Sequence, residues 1–580
     1  MSRYPDQANH DLLERIPLNA GVVLDVGCHT GALGAAYRRL NPRALLLGIE
    51  SDPVAAETAT RRLDQVAVVD VEQDPMPFAL GDREIDCIVY GDTVEHLRDP
   101  WRVIGRQVEA LSDDGTILIC VPNMDHWSFA DRLLRGTWKY EPSGLLDATH
   151  LRWFSLETMR EGLEAAGLVP HDVSPRVFDA PKAQEFAALI APALTRLGVD
   201  LSVYAQRAAP LQYIWRVMKR PRPTISIAAS MLRPVGGVSH VRVVYPLQAM
   251  RSDPTVMAHF ANGGEIKTPG GEAPRIFVLH RPALSGEQGA AVVRGLLSEG
   301  WLIVTEFDDH PDHFGMLNAE DQLAFRGVHA VQTSTPVLGA ILRTLNPEVA
   351  VFPNMIRSLP DVHNFREPQV LTVFFGALNR ERDWAPLMPA LNEVAEKAGD
   401  RLRFCVVHDQ GFFDALHTPH KQFTPTCDYD TYMALLGQCE ISLMPLEDTP
   451  FNRAKSDLKF IEAGACRAAS LASHIVYADS IEDGHTGLLF RNAEELRDRL
   501  LRLVAMPELA RDLGDGARHY VAGERMLAYQ VAPRIAWYRS LWARRAELNG
   551  SLQSRLMGVP RLGGESAVPA EKAAELGALP

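Results

Sequence analysis

The sequence predicts an α/β fold throughout, built from mostly parallel sheets covered by helices. Short β-branched runs alternate with stretches of helical spacing, and several runs end in turns bearing glycine or an acid. The chain of 580 residues is also too long for one hydrophobic core, so three packed units and a tail are expected.

The first set of strands is expected at Val22–Val26, Leu45–Ile49, Val66–Val69, Ile85–Val89 and Thr116–Val121, with helical patterns such as Trp101–Leu111 between them. A later strand near Gln212–Val217 would add an edge. The basic, proline-broken run Lys219-Arg220-Pro221-Arg222-Pro223 admits neither helix nor sheet easily and marks a boundary. Beyond it come Ile225–Ala228, Arg275–Leu279, Trp301–Thr305, Ala330–Ser334 and Ala350–Phe352. A final set follows at Thr372–Phe375, Arg403–Val407, Ile441–Met444 and Ala469–Ala472. Ser358–Pro368 separates these two sets. Helical patterns run from Ala493 to about Leu548, and the Gly-, Ala-, Pro- and Glu-rich remainder reads as a mobile tail. The expected domains are 1–220, 224–365, 366–548 and a tail at 549–580. Two tandem α/β units leave a cleft at the carboxyl ends of their strands.

The formal charge of −14 argues against nonspecific nucleic-acid binding, which needs a basic surface. The seven cysteines form no CxxC pair and no metal-ligand spacing, so buried reduced thiols are expected. No signal-type segment and no long uncharged apolar run is present, which points to a cytoplasmic chain and leaves peripheral membrane contact open. The sequence does not settle the oligomeric state.

In Val22-Val23-Leu24-Asp25-Val26-Gly27-Cys28-His29-Thr30-Gly31, a strand ends in a glycine turn that opens a helix from Ala32 to Leu40. The spacing Gly27, Gly31, Gly34 is not the pattern that seats a dinucleotide pyrophosphate, and Asp25 suits a cationic ligand better than a phosphate. Glu50 ends the second strand, Asp70 the third, and Asp92 follows the fourth. VLDVGCHTG, GIE, VVD, GDTVEHLRDP and ILICVPN, in this order, resemble the class I S-adenosylmethionine-dependent methyltransferases, with DATHLRWFS and EGLEAAGL extending the match over about residues 12–220. The resemblance implies a Rossmann-like domain that binds S-adenosylmethionine. Asp25, Gly27 and Gly31 would hold the amino-acid end, Glu50 the ribose and Asp70 the adenine, with Asp92 also in the cofactor site. His29 departs from the family's usual glycine. A general base assists when the acceptor is a hydroxyl, and His96 and His150 are the candidates. Each also admits a structural role, as do Trp127, Trp138 and Trp153 as pocket lining.

In the second half, Gly236-Gly237 follows a strand, with His240 and Arg242 at the helix start. His280 ends a strand in FVLHRP, and Asp308-Asp309 follow another in VTEFDDHP, without a metal being expected. Arg380 and Arg382 offer bidentate bonds to a diphosphate. Lys455, Lys459 and Glu462 fall at one helical face, where two ammonium groups suit phosphates and the carboxylate suits ribose hydroxyls. A solvated Lys/Glu stripe is the plain alternative. STPVLGAILRTLNPEVAVFPNMI, FFGALNRERDW, KSDLKFIEAGACRAASLAS and YADSIEDGHTGLLF resemble the retaining, glycogen-synthase-like GT-B glycosyltransferases over roughly residues 224–545. The resemblance implies a double-Rossmann unit, with the acceptor on the first lobe and a nucleotide-sugar donor on the second. Arg382 stands where a phosphate-binding lysine is expected and Glu462 matches the second glutamate of the E-x7-E element. Gly237, Lys455 and Lys459 complete the donor contacts, and His280 is an acceptor-side contact. Ala454 replaces the first glutamate and Ala377 the usual arginine of the G-R-L turn, which puts activity in question.

The expected function is therefore a bifunctional transferase, moving a methyl group from S-adenosylmethionine and a sugar from a nucleotide sugar in assembly of a methylated surface glycan. The acceptor is a glycan or small molecule, and no metal cofactor is expected. The alternative keeps the methyltransferase but makes the second half a non-catalytic glycan- or nucleotide-binding module.

Overall fold

The computed structural model describes residues 5–231, 236–260, 273–313 and 322–556. The chain divides into two compact units, one of residues up to Pro223 with Arg251–Thr255, the other of Thr224–Met250 and the residues from Val256 onward.

The first unit is organised on a seven-stranded sheet of β1 (Val22–Val26), β2 (Leu45–Glu50), β3 (Gln65–Val68), β4 (Ile85–Gly91), β5 (Leu111–Pro122), β6 (Val169–Arg176) and β7 (Gln212–Met218). Their order is β3-β2-β1-β4-β5-β7-β6. The first five run parallel, and β7 is antiparallel to both neighbours. Alternation places Val22, Leu24, Val26, Ile88 and Ile117 in one buried cluster and Val23, Cys87, Val89 and Leu118 in another. Helices therefore cover both faces, as a parallel sheet requires. The chain reverses its direction of travel across the sheet between β1 and β4, where α/β sheets bind ligands.

Gln212–Val217 is not the edge strand expected from sequence. It lies inside, hydrogen-bonded on both sides, because β6 covers it. Val169–Arg176 carries two prolines and no fully buried residue, so it gives no strand signal.

The second unit holds two six-stranded, all-parallel sheets. The first lobe contains β8 (Ile225–Ser230), β9 (Val256–Phe260), β10 (Arg275–His280), β11 (Leu302–Glu306), β12 (Ala330–Thr333) and β13 (Val349–Val351), in the order β13-β12-β11-β10-β8-β9. The second contains β14 (Leu371–Gly376), β15 (Leu402–Val407), β16 (Lys421–Thr424), β17 (Ile441–Met444), β18 (Ala469–Ser473) and β19 (Leu488–Phe490), in the order β16-β15-β14-β17-β18-β19. The fold is thus the expected one, a Rossmann-like domain followed by a double-Rossmann unit.

Helices Ala493–Ala505 and Pro507–Glu524 pack on the second lobe through Leu496, Leu500, Leu503 and Leu513. The next two, Ala528–Ala543 and Arg545–Leu556, return to the first lobe. Tyr538 donates to Gln332 at 2.8 Å, Asn549 meets the His329 ring at 2.9 Å, and Arg555 donates to the Val328 carbonyl at 2.7 Å. Two boundaries are corrected by this path. Residues 366–548 do not all serve the second lobe, and the segment from 549 begins as helix, with Leu552 buried. All seven cysteines are free, and six are buried. Among the described residues no helix is long and apolar enough to cross a membrane.

Candidate active sites

In the first unit, β1 delivers the chain into a turn where Gly27 and Gly31 take φ values of 74° and 73°, a left-handed backbone that favours glycine. A Cβ on Gly27 would also lie 2.6 Å from the Thr93 hydroxyl oxygen, which donates to the Val26 carbonyl at 2.7 Å. The turn after β4 is thereby packed against the glycine turn after β1. His29, at φ 49°, donates its backbone N–H to Glu50 Oε2 at 2.7 Å, and the same carboxylate accepts from the backbone N–H groups of Ser51 and Asp52 at 2.8 Å each. Glu50 is therefore fixed at the tip of β2 beside the glycine turn.

Asp25 is 7% exposed and has no hydrogen-bond or ion-pair partner among the described residues. Burial, reinforced by the Glu50 charge, pushes its carboxyl up to about 7. Asp70 lies two residues past the end of β3, exposed, accepting from the Glu72 N–H at 2.9 Å and the Gln73 side chain at 3.1 Å. The sequence reading missed Asp6. Its carboxylate accepts from the Thr30 hydroxyl at 2.6 Å and pairs with Arg62 at 2.5 Å, which ties the N-terminal segment to the glycine turn. Both partners, Thr30 and Arg62, lie far along the chain, so no local motif marks it.

At the tip of β4, Asp92 (φ 56°) accepts from the Gln212 amide. Although accessible, it sits deep enough for desolvation to raise its carboxyl to about 6 against the opposing charge of Arg176. The short helix Val94–His96 follows. Glu95 is 1% exposed, and both of its carboxylate oxygens are buried without a hydrogen-bond partner. Its backbone carbonyl accepts from the Leu151 and Arg152 N–H groups at 2.8 and 3.1 Å, which brings the His150 loop onto this turn. The His96 and His150 rings lie 4.8 Å apart, edge to face. Sequence reasoning singled out both histidines and overlooked the glutamate beside them. Trp127 packs beside His126 and Phe186, and Trp138 against Phe129.

In the second unit the expected residues divide. Arg242 serves the fold. It is buried, bonds both Glu306 oxygens at 2.9 and 3.1 Å, and donates to the Phe352 carbonyl and to Asn354. Gly237 lies in the four-residue helix Gly236–Ser239, and a Cβ there would meet the Tyr429 ring at 2.6 Å, so a protein side chain takes the close approach expected of the donor. Lys455 precedes rather than shares the helix Leu458–Ala465, so the three-residue stripe is not one helical face. Lys455 bridges the lobes to Asp309 at 2.8 Å, and Lys459 donates to the Gly376 carbonyl. Glu462, 3% exposed, accepts from the Tyr429 hydroxyl at 2.7 Å, and burial raises its carboxyl to about 7.

Arg382 is exposed on the helix Glu381–Trp384. Arg380 is the arginine turned inward, bonded to Asp383 at 3.1 Å and Asn452 at 2.9 Å. Burial lowers both lysines, Lys459 to about 8, and the Arg380 charge adds to each shift; Arg380 and Lys455 also share the Phe451 ring, at 5.9 and 4.1 Å, so Arg380 lies near both lysines. Ala454 is buried in the first lobe's core, and its carbonyl accepts from the Thr335 hydroxyl at 3.2 Å. A glutamate there would drive a carboxylate into apolar surroundings. His280, at the tip of β10, is 3% exposed with neither ring nitrogen hydrogen-bonded, and burial holds it neutral, near 4.

Residues 1–173 match the family model described as a methyltransferase domain. An uncharacterised 37.1 kDa protein in transposon TN4556 of Streptomyces fradiae is 30% identical over 104 residues, 18% of this chain. The chain spans about 30% of the length of that curated relative. Among solved structures, sucrose-phosphate synthase from Thermosynechococcus elongatus overlays 55% of this chain and 100% of its own at 14% identity and a TM-score of 0.41. The plantazolicin methyltransferase BpumL in complex with SAH overlays 35% of this chain and 77% of its own at 19% identity and a TM-score of 0.24.

Proposed function

We propose that the chain is a bifunctional transferase, an S-adenosylmethionine-dependent methyltransferase joined to a glycosyltransferase that takes a nucleotide-sugar donor. For the first activity the carrying observation is Asp25, a buried carboxylate without a partner beside a glycine turn at the sheet's switch point. A buried, unpaired carboxylate is costly, and a ligand carrying an ammonium and a sulfonium relieves that cost. Gly27 and Gly31 let the backbone approach such a ligand, Glu50 stands ready for ribose hydroxyls, and the exposed Asp70 carboxylate has lone pairs left to accept from an adenine amino group. When bound, S-adenosylmethionine supplies an electrophilic methyl group. The protein's part is to orient an acceptor beside it and exclude water.

For the second activity the carrying observation is that Arg380 lies near both Lys455 and Lys459, whose like charges a diphosphate would offset. Arg380 replaces Arg382 in this reading. Glycan assembly follows as the pathway class, with a glycan or small-molecule acceptor. The binding-module reading keeps one specific observation in its favour. Glu462, Lys455 and Lys459 are each engaged by the protein itself, and a donor must displace Tyr429 and Asp309 to reach them.

Calorimetric titration of the full chain with S-adenosylmethionine and with nucleoside diphosphates tests both halves. Asp25→Ala is expected to weaken the sulfonium ligand at least about tenfold, or ~1.4 kcal/mol, and to leave the diphosphate alone. Glu462→Ala should do the reverse. Equal affinity for S-adenosylmethionine in Asp25→Ala would overturn the first assignment. Diphosphate binding without hydrolysis of any nucleotide sugar would favour the binding module.

A further inference from the structure

We propose that Glu95, His96 and His150 hold a divalent first-row transition metal ion beside the methyl-transfer site. Their donor atoms all lie within 4.8 Å of one another. Donors on one such ion stand about 3–4.4 Å apart, since metal–nitrogen and metal–oxygen bonds are about 2.0–2.2 Å, so side-chain rotations of about an ångström close the set.

The strongest sign is Glu95, whose two oxygens are buried and make no hydrogen bond. Carboxylates are not left so without a cation or a donor. The histidines are oriented as ligands are. His150 Nδ1 lies 3.2 Å from the Leu145 carbonyl and His96 Nδ1 3.2 Å from the Thr149 carbonyl. A carbonyl only accepts, so both Nδ1 atoms carry the proton and both Nε2 atoms carry the lone pair. The Thr149 hydroxyl, 3.0 Å from His96 Nδ1, donates in turn to Asp147 at 2.7 Å, completing a carboxylate–hydroxyl–imidazole support. Two imidazoles and one carboxylate select transition metals over magnesium or calcium and leave coordination positions open. The proposal departs from the expectation of a metal-free chain and gives the two histidines ligand roles in place of base roles.

The place of the site says what it serves. Thr93, two residues before Glu95, packs on Gly27, so the ion stands next to the glycine turn. An ion there would chelate an acceptor presenting two adjacent oxygens, such as a vicinal diol or a hydroxy acid, and lower the pKa of the hydroxyl to be methylated. The acceptor class rests on the methyltransferase reading; the ion does not.

The test uses the full chain, stripped with chelator and titrated with Co²⁺, following visible absorption and bound metal by elemental analysis. One Co²⁺ per chain is expected in the wild type. Outer-shell losses alone weaken metal sites about 10–100-fold, so Glu95→Gln and His150→Gln should each lose more than about tenfold in Co²⁺ affinity. Both variants should still bind S-adenosylmethionine with wild-type heat, which shows them folded. Wild-type chain that binds S-adenosylmethionine but no Co²⁺ would overturn the proposal, as would undiminished Co²⁺ binding in both folded variants. Co²⁺ bound through these residues without S-adenosylmethionine binding would uphold the metal site and sink the methyltransferase reading instead.

Discussion

Asp25 sets the pH at which the first site is ready for a cation. Its carboxyl stands near 7 in the folded chain against an ordinary value of 3.8, so the folded state binds more protons between these limits. Its contribution to stability is fully present below about 3.8 and is lost as pH rises through about 7. A cationic ligand favours the ionised form, so affinity for S-adenosylmethionine should climb as pH rises towards and through about 7, with a proton released on binding below that pH. Titration in two buffers of different ionisation heat measures that proton, and Asp25→Asn should abolish it. Release that persists in the variant would place the proton elsewhere. Arg242 shows the opposite use of charge. Paired with Glu306 and bonded to the Phe352 carbonyl and Asn354, it spends four of its five N–H donors on the protein, although it stands in sequence at a helix start where a ligand contact was one reading. Between Arg380 and Arg382, two residues apart, pattern does not choose. The geometry turns only the first towards Asp383 and Asn452.

At the scale of elements, the legible strands were largely those buried within the sheets. The unread ones, β6, β9, β16 and β19, are all edge strands. An edge strand pairs on one side only, so most need no continuous apolar run. Lys421–Thr424 is polar and partly exposed, whereas Leu488–Phe490 is buried but only three residues long. The candidate site was legible where one strand and its own turn supply it, as with Asp25, Gly27, Gly31 and Glu50. It was not legible where distant loops meet, as with Asp6 on Arg62 or Glu95 beneath His150, since sequence spacing carries no trace of those contacts. Arg545–Leu556 is a further case. Its second half, from residue 549, reads as tail, yet the helix buries Leu548 and Leu552, packs Leu556 on the first lobe's core and hydrogen-bonds to that lobe through Asn549 and Arg555. Leu552→Ala is expected to cost ~2–5 kcal/mol, read as a lower urea midpoint for the second unit. A change within ~0.5 kcal/mol, the range of surface substitutions, would mean that this helix does not hold the lobe.

For the whole molecule, each compact unit contains its own hydrophobic clusters, the first around β1, β4 and β5 and the second around the two six-stranded sheets. Each is therefore expected to unfold as its own cooperative transition in calorimetry. A ligand that binds only the folded state stabilises by about 2.7 kcal/mol at a hundredfold excess over its Kd. S-adenosylmethionine should then raise one transition and a nucleoside diphosphate the other, with neither ligand moving both. Asp25→Ala should cancel the first shift, and Lys459→Gln should cancel the second, because removing one of these three cations leaves the diphosphate charge under-compensated. If one ligand raised both transitions, the two sites would be thermodynamically linked, and methyl and glycosyl transfer would have to be treated as one coupled process.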